Sequence, residues 1–504
     1  MKKLFFALFI IASISQVNGQ NYFDALRYSR IDYSGTARFN AMGASFGALG
    51  GELSGIMINP AGTGIYRNSE FSFSTNISDF NSNSRFRGNS ASNNKLNFNI
   101  PNIGYVGAYR GDPEGWKNYS FAIQYNRVNN FNREFQFSSN SPEESFINDY
   151  VNTLNANGAN ITSVENFDFA GGPSEAWDIF LIDTVLDNGT IRYLPIFKEE
   201  FTRSNGTSSV PIDIRTQALT ESTGGQSEIS FAFGGNYQDR LYLGGSINLQ
   251  RLRYEQTTIV QEEYIYDTAP TASDGLVTSY RERRNLETSG TGVNLKLGFI
   301  YRITDELRAG ASIHSPTFFG LSEEFTFESN SAFSDGDRLR SGESLFEFDY
   351  NLRTPTRYIA SLAYVHNGSA SINVDYEYLD YSNAKLDDQR NDEFDFSDAN
   401  AGIENNLQGA HNIRVGGEVK LSPFVLRAGY RYEGNPFDSG VSLDPDESRN
   451  TYSLGGGYRF KNFNLDLAYQ VSQMDVIDPF YSTDTPALIE EERHGVLITL
   501  GWKW

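Results

Sequence analysis

The residues able to do chemistry in this chain are few and badly placed for catalysis. Its four histidines, His314, His366, His411 and His494, are scattered, with no H-E-x-x-H and no H-x-H pairing. His314-Ser315-Pro316 holds the one His–Ser neighbour and reads as the end of a strand. No G-x-S-x-G elbow and no phosphate-binding loop occur. The acidic clusters Asp387-Asp388 and Asp392-Glu393-Asp395 have the ligand type for Ca²⁺ but lack the spaced Asp/Asn-Gly loop, so they read as solvated loop charge. The absence of cysteine excludes disulfides, thiolate metal sites and lipidation of an N-terminal cysteine. No catalytic residue, metal ligand or cofactor is expected, and the chain does not read as an enzyme.

What remains is charge arranged for binding. Lys296, Arg302, Arg308, Asp375, Glu377, Arg414, Glu418, Lys420, Arg427, Arg431, Arg459 and Asp466 fall on the polar face of segments whose other face is apolar. Mixed signs at that spacing can pair across neighbouring strands or line a wet lumen. They can also grip a plug or the anionic head of a ligand, since a guanidinium binds a carboxylate bidentately.

The segments carrying them have the two-residue period of strands. Ile229, Phe231, Phe233 and Tyr237 oppose Ser230, Ala232, Gly234 and Asn236. In the last run Val496, Ile498, Leu500, Trp502 and Trp504 share one face, as a lipid-facing strand ending in an interfacial aromatic girdle should. About fourteen such segments can be marked between 69 and 504, an even number as bacterial barrels have. The connections at 238–240, 304–306, 366–369, 422–424 and 461–463 are short. Those at 255–285, 322–345, 385–408, 434–449 and 475–491 are long and mostly acidic. A soluble sandwich has no reason to sort its loops by parity, whereas periplasmic turns and extracellular loops do so.

Composition agrees. Aromatics make up 14% of residues, with 29 Tyr, 38 Phe and 46 Gly, yet mean hydropathy is −0.45, as expected where only alternate strand residues face lipid. A formal charge of −22 argues against a nucleic-acid partner. Two stretches break the alternation. In the third run, Tyr119 to Phe137, polar residues fall on both faces at Arg127-Val128-Asn129-Asn130, which predicts a bulge or bend. Residues 138–226 read as a long insertion with short helices at Pro142 to Leu154 and Ser174 to Leu181, of the kind that carries function on a β scaffold.

The N-terminus differs from everything after it. Lys2-Lys3, the apolar Leu4 to Ile14, and Val17 and Gly19 before Gln20 form a secretory signal over residues 1–19, too short in its apolar run for a membrane span. Gly35 to Tyr66 is rich in Gly and Ala, has few aromatics and closes on Asn59-Pro60-Ala61-Gly62. A fourteen-strand barrel leaves a channel unless something fills it, and residues 20–68 are expected to be that filling. The expected fold is therefore all-β, a transmembrane antiparallel barrel of about fourteen strands with an N-terminal hatch in its lumen.

The stretch from Gly35-Thr36-Ala37-Arg38 through Gly43 to Asn59-Pro60-Ala61 resembles the hatch of the FadL/TodX family of outer-membrane transporters of hydrophobic compounds. GASIHSPTFFGLSEEF (310–325), TPTRYIASLAYV (354–365), NVDYEYLDYS (373–382) and NIRVGGEVKLSPFVLRAGYRYEGNPF (412–437) are similar to later parts of that family. The resemblance implies passive uptake of long-chain fatty acids or aromatic hydrocarbons. Ligand would be captured at extracellular loops and carried to a pocket near the hatch N-terminus, reached here by Tyr22 and Phe23. Lateral release would follow at a third-strand kink, here Arg127, Val128, Asn129 and Asn130. The implied partners are a hydrophobic ligand, outer-membrane lipid and the barrel-assembly machinery, for a monomer in the bacterial outer membrane. Barrels resembling this family also serve as substrate shuttles of the type-nine secretion system, so a secretion-accessory or binding role is the alternative.

Overall fold

The computed structural model describes residues 21–141, 144–187, 189–197, 210–389, 395–440, 446–478 and 487–504. The expected signal segment, Pro142 and the acidic pair Asp392-Glu393 lie outside these residues.

Fourteen antiparallel strands close into a barrel. They are β1 (Glu70–Phe86), β2 (Asn89–Arg110), β3 (Trp116–Asn130, resuming as Arg133–Ser141), β4 (Asp213–Tyr237), β5 (Leu241–Ile265), β6 (Val277–Arg302) and β7 (Leu307–His314, resuming as Phe318–Phe333). The second half comprises β8 (Ser344–Arg353, resuming as Arg357–His366), β9 (Ala370–Asp380, resuming as Lys385–Asp388), β10 (Gly409–Leu421), β11 (Phe424–Glu433), β12 (Arg449–Arg459), β13 (Phe463–Asp478) and β14 (Ala487–Lys503). Each pairs with its sequence neighbour, and β1 closes the ring on β14 with Phe73 opposite Leu500 and Phe71 opposite Trp502.

The alternation expected from the sequence is the lipid boundary. Outward residues such as Leu243, Ile247, Leu249, Leu295, Leu297, Leu454, Leu467 and Ile498 are exposed, while Ser246, Asn248, Asn373 and Asp375 between them are buried in the lumen. The short turns lie where the pattern put them. At Gln238-Asp239 both residues take positive φ, 52° and 57°, the backbone of a two-residue hairpin. The Asn236 side chain accepts the Asp239 N–H at 2.9 Å and steadies that strained pair.

On the opposite side the connection at 434–449 lies between strands as expected, but 255–285 and 322–345 are largely strand instead of loop. Strand β5 runs on to Ile265, β6 starts at Val277, β7 continues to Phe333 and β8 starts at Ser344. A 25-residue strand such as β4 or β5, rising about 3.3 Å per residue with a tilt near 40°, climbs roughly 60 Å, over twice the ~25 Å apolar band. Above Leu249 the outward positions of β5 become Arg251, Arg253 and Glu255. The outward face is then charged while Leu252 and Tyr254 turn inward, so the hydropathy pattern of a lipid-facing strand inverts although the strand continues. Strands also enter the expected insertion: Arg133–Ser141 and Asp213 onward belong to the wall.

Among the described residues of the insertion are helices α3 (Phe146–Ala156), α4 (Ile161–Glu165) and α5 (Pro173–Asp178) and a hairpin of Ile182–Asp187 with Thr190–Pro195. They follow α1 (Tyr22–Ser29) and α2 (Ala37–Ala41) of the hatch. One further helix, α6 (Ser397–Asn406), precedes β10.

Candidate functional site

The hatch is built from short capped turns because each must present small surfaces in several directions. Asn21 caps α1, accepting the Phe23 N–H at 2.8 Å while Asp24 accepts the Asn21 N–H. Thr36 caps α2 through the Phe39 N–H. Asn59 caps a 3₁₀ turn that begins at Pro60, accepting the Ala61 N–H at 3.0 Å; proline suits a first-turn position whose N–H would be unpaired. The Asn59 amide then donates to Gly47 O at 2.7 Å and to Phe299 O of β6 at 3.0 Å, so one side chain ties the turn, the hatch and the wall. Pro60 and Ala61 lie buried against β5, where Gly244 admits them: a Cβ there would stand 2.4 Å from Pro60 O. Gly43, at φ 61°, meets Gly429 of β11 so closely that a Cβ on Gly429 would stand 2.1 Å from the Gly43 nitrogen.

The inward charges hold this piece in place. Arg38 binds Glu418 through Nε at 2.9 Å and reaches Glu52 at 3.4 Å. Glu418 also takes Arg427 at 2.7 Å, which continues to Asp466 and so to Arg459. Asp375 accepts the Phe46 and Gly47 N–H groups at 3.0 and 3.1 Å. Glu377 accepts Tyr33 Oη, Arg357, Arg414 and Asn412. Arg308 donates to Leu49 O, and Arg431 to Tyr33 O. Lys296 is spent on the wall, bound to Glu228 at 2.6 Å. Arg302 and Lys420 bond turn carbonyls at the periplasmic end.

The wall opposite is incomplete. Pairing of β2 with β3 runs from Arg110 opposite Asn118 to Asn102 opposite Asn126 and stops there. Residues 89–101 of β2 pair only with β1. In β3 the register slips between Arg127 and Asn129, the strand ends at Asn130, and it resumes at Arg133 paired only with β4. That second piece runs behind the β1–β2 hairpin: inward Ser82 donates to Glu134 O at 2.7 Å, and Asn89 to Ser138 O at 3.2 Å. The result is a slot in the outer wall beginning at the level of Pro101 and Arg127. Outward Leu96, Phe98 and Ile100 form one lip, 70%, 65% and 41% exposed. Polar side chains bridge it as well, with Lys95 Nζ to Glu221 Oε1 at 2.6 Å and to Ser222 O at 3.2 Å, Asn93 Nδ2 to Glu134 Oε1 at 2.9 Å, and Asn130 Nδ2 to Asn97 Oδ1 at 3.3 Å.

Each residue of the disturbed stretch has a distinct place. Arg127 staples the break, donating to Gly224 O and Asn130 Oδ1. Val128 is buried in the hatch core with Tyr33 and Phe39, and its carbonyl accepts the Asp32 N–H at 2.8 Å. Asn129 donates to Arg30 O of the hatch at 3.2 Å. The break is thus where hatch and wall share backbone bonds.

Beside the break lies a cavity of about 290 Å³. Phe23, Leu26, Phe131, Phe135, Tyr254, Met474, Val476 and Ile477 give it an apolar side, and Asn129 and Asn130, at the break itself, also line it. Arg27, Arg30, Arg133, Arg449 and Arg493 face Asp24, Asp32, Glu447 and Glu491 around the remainder, five guanidiniums against four carboxylates. Asp32 gathers Arg493 at 2.8 Å and Arg431 at 3.4 Å, and Arg30 holds Glu447 at 2.8 Å. Phe23 lines this cavity. Tyr22 does not, and instead stacks on Phe23 and meets Phe437 edge-on.

With hatch, wall and cavity described, the comparisons fall into place. The family model for outer membrane protein transport protein (OMPP1/FadL/TodX) matches residues 213–478, just over half of the chain. The chain belongs to the FadL/TodX family. It is a bacterial outer-membrane transport barrel, as its resemblance implied. The fold agrees. The toluene transporter TodX of Pseudomonas putida superposes with a TM-score of 0.50 at 14% identity, over 94% of this chain and 99% of TodX. A FadL homologue of Pseudomonas aeruginosa gives 0.52 at 12%, over 94% and 99%. No curated protein sequence matches the chain.

Above the cavity, this FadL/TodX barrel carries a cap. Phe146, Ile147, Tyr150, Val151 and Leu154 of α3 pack with Phe86, Phe137, Ile214, Val260, Tyr280, Phe327 and Ile489, which come from seven strands of the wall. Two wall carboxylates anchor it: Glu282 of β6 accepts Tyr150 Oη of α3, and Glu262 of β5 accepts Ser145 Oγ at 2.5 Å and the Phe146 N–H at 2.9 Å, besides Tyr264 Oη of its own strand at 2.8 Å. Glu262 lies beyond the lipid band, and burial pushes its carboxyl up to about 7 against the bonds it accepts, with Glu282 adding to the rise.

The four histidines stand apart from one another and from the cavity. Buried His314 bonds Ile58 O of the hatch at 3.0 Å, while His411 and His494 sit outside, each against a tyrosine hydroxyl. His366 stands 3.4 Å from Glu306 at a periplasmic turn. The cavity residues Asp24, Arg30, Asp32, Glu447, Arg449, Glu491 and Arg493 carried no signal of their own in the sequence, because they meet only once the barrel has closed.

Proposed function

We propose that the protein takes up hydrophobic molecules bearing a polar or ionised head, such as fatty acids, by diffusion and releases them sideways into the outer leaflet through the slot between β2 and β3. The observation that carries this reading is the end of β2–β3 pairing at Asn102 and Asn126, beside a cavity bounded by Asn129, Asn130 and Phe131. Straight passage is opposed by the hatch, whose seat includes the buried Glu377 pairs with Arg357 and Arg414; removing one partner from such a pair costs about 3–5 kcal/mol. Sideways exit needs only the polar bridges over the slot to part. The apolar lip at Leu96, Phe98 and Ile100 then meets lipid, where a chain gains about 0.8 kcal/mol per CH₂ withdrawn from water. The polar side of the cavity supports an amphiphile over a bare hydrocarbon, which gains nothing from nine acidic and basic side chains. No bond is made or broken on this route, in keeping with transport without catalysis.

The test uses the natural lack of cysteine. In cells carrying Asn97→Cys with Asn130→Cys, oxidation should join the slot and reduce labelled oleate uptake to the level of cells without the protein, and reductant should restore it. Toluene uptake measured alongside distinguishes the cargo. Uptake unchanged by oxidation, with the cross-link verified by mass spectrometry, would sink lateral release.

A further inference from the structure

A second break in the wall organises an outward patch that transport does not use. Strands β7 and β8 are both interrupted, at 315–317 and 354–356, each around a proline, Pro316 and Pro355. The interruptions are bonded to each other, Thr317 N to Thr354 Oγ1 at 2.9 Å and Thr354 N to Thr317 O at 3.0 Å. Just below, Tyr358, Tyr378 and His411 stand in one cross-strand row on the outside; His411 packs 5.2 Å from the Tyr378 ring. Just above, the row reads Phe318, Arg353, Lys385.

Arg353 and Lys385 are exposed and directly opposite each other on paired strands. Like charges so placed repel. Among the described residues, neither has a carboxylate within ion-pair distance; Asp387, the next outward residue beside Lys385, pairs with neither. Their level is set by their own strands: below the break the outward residues Tyr358, Ala360, Leu362 and Tyr364 of β8 and Tyr378, Tyr376, Val374 and Ile372 of β9 are apolar and topped by tyrosine, and Arg353 and Lys385 stand just above those tyrosines. That is the boundary between acyl chains and headgroups, where rings settle and cations meet lipid phosphate.

The surroundings select the source of the anion. Higher up, Glu255, Glu287, Glu324 and Glu347 stand opposite one another across four successive strands. This row lies between the two cations and the medium and repels an anion arriving from solution. An anion carried by a lipid arrives along the wall from the membrane side and does not cross it.

We propose that Arg353 and Lys385 hold a phosphate group of an outer-leaflet glycolipid, with Tyr358, Tyr378, His411 and Phe318 packed against its acyl and sugar portions. The site fixes a lipid beside the strand breaks in the same way that a cross-strand counter-ion would, removing the repulsion between the pair.

The test is native mass spectrometry of the full-length barrel in mild detergent, titrated with diphosphorylated lipid A. Wild type should retain one lipid per barrel. Arg353→Ala with Lys385→Ala should lower the bound fraction at least fivefold, and the single changes Arg353→Gln and Lys385→Gln about threefold each. The exchange Arg353→Lys with Lys385→Arg should keep it. Millimolar inorganic phosphate should not displace the lipid, and neither dephosphorylated lipid A nor phosphatidylglycerol should replace it. Retention by the double alanine variant, displacement by inorganic phosphate, equal binding of dephosphorylated lipid or phosphatidylglycerol, or equal loss in an Arg281→Ala, Arg283→Ala control each overturns the proposal. Heat-modified gel mobility confirms that each barrel is folded; if the double variant is not, the two single glutamine variants decide.

Discussion

Lys95 spans the slot in the barrel wall and meets Glu221, Nζ to Oε1 at 2.6 Å, joining two strands that share no backbone bond at that level. The pair is half in solvent, its side chains 16% and 49% exposed, and such pairs are worth about 0.2–1 kcal/mol. Replacing Lys95 by Met should therefore ease opening and raise the initial uptake rate by up to about fivefold, without changing thermal stability beyond a few tenths of a kcal/mol. Uptake assays with Lys95→Met and Lys95→Arg side by side check this; a fall in rate with Lys95→Met contradicts the latch.

The hatch seat makes a harder prediction. Glu377 is buried among Tyr33, Arg357, Arg414 and Asn412, and Glu377→Ala leaves two guanidiniums without their shared counter-ion. A loss of about 3–5 kcal/mol is expected in urea unfolding. Because the seat loosens before the wall does, ion conductance in planar bilayers should rise.

Steric fit predicts a different signature. Gly429→Ala places a methyl 2.1 Å from the Gly43 nitrogen, a backbone atom held by wall on both sides. Crowding of this kind costs about 1–3 kcal/mol and should expose hatch residues to protease. Gly342→Ala, with nothing within 4 Å of the added carbon, should behave as wild type.

The cap should respond to pH. The Glu262 carboxyl is raised from its usual value near 4.5 to about 7 in the folded cap. Its protonated form is therefore favoured when the cap is docked. That contribution is complete below about pH 4.5 and is lost as pH rises through about 7, on the order of 3 kcal/mol in all. Protection of the amides in Phe146–Ala156, taken relative to the intrinsic exchange rate at each pH, should fall between pH 5 and pH 8, and Glu262→Gln should flatten that fall.

Much of the barrel was legible because lipid imposes a rule on every second residue. Leu295, Leu297 and Phe299 announce a strand as plainly as Val496, Ile498 and Leu500 do. Above the membrane that rule lapses: Arg251, Arg253 and Glu255 still alternate with Leu252 and Tyr254, but with charge outside and rings inside, the pattern no longer resembles a lipid-facing strand. The break at Arg127–Asn130 could be read because polar residues on both faces cannot sit in a regular strand in lipid. The charged cavity could not. Asp32, Glu447, Glu491 and Arg493 come from the hatch and from strands or connections far apart in sequence, and only ring closure brings them together. Tyr22 and Phe23 stay a pair in space, ring against ring and both beside Phe437, yet only Phe23 reaches the cavity.

The glycine contacts between hatch and wall set an order of assembly. Gly43 touches β11 and Pro60 touches β5 at distances that leave no clearance for later entry, and the cap covers the far end. Closure of the ring around this segment is therefore the expected order, with the hatch waiting, unpaired, until the last strands arrive and the seam between β1 and β14 forms around it. Synthesis runs from one end to the other; maturation here has to begin and finish at the same place.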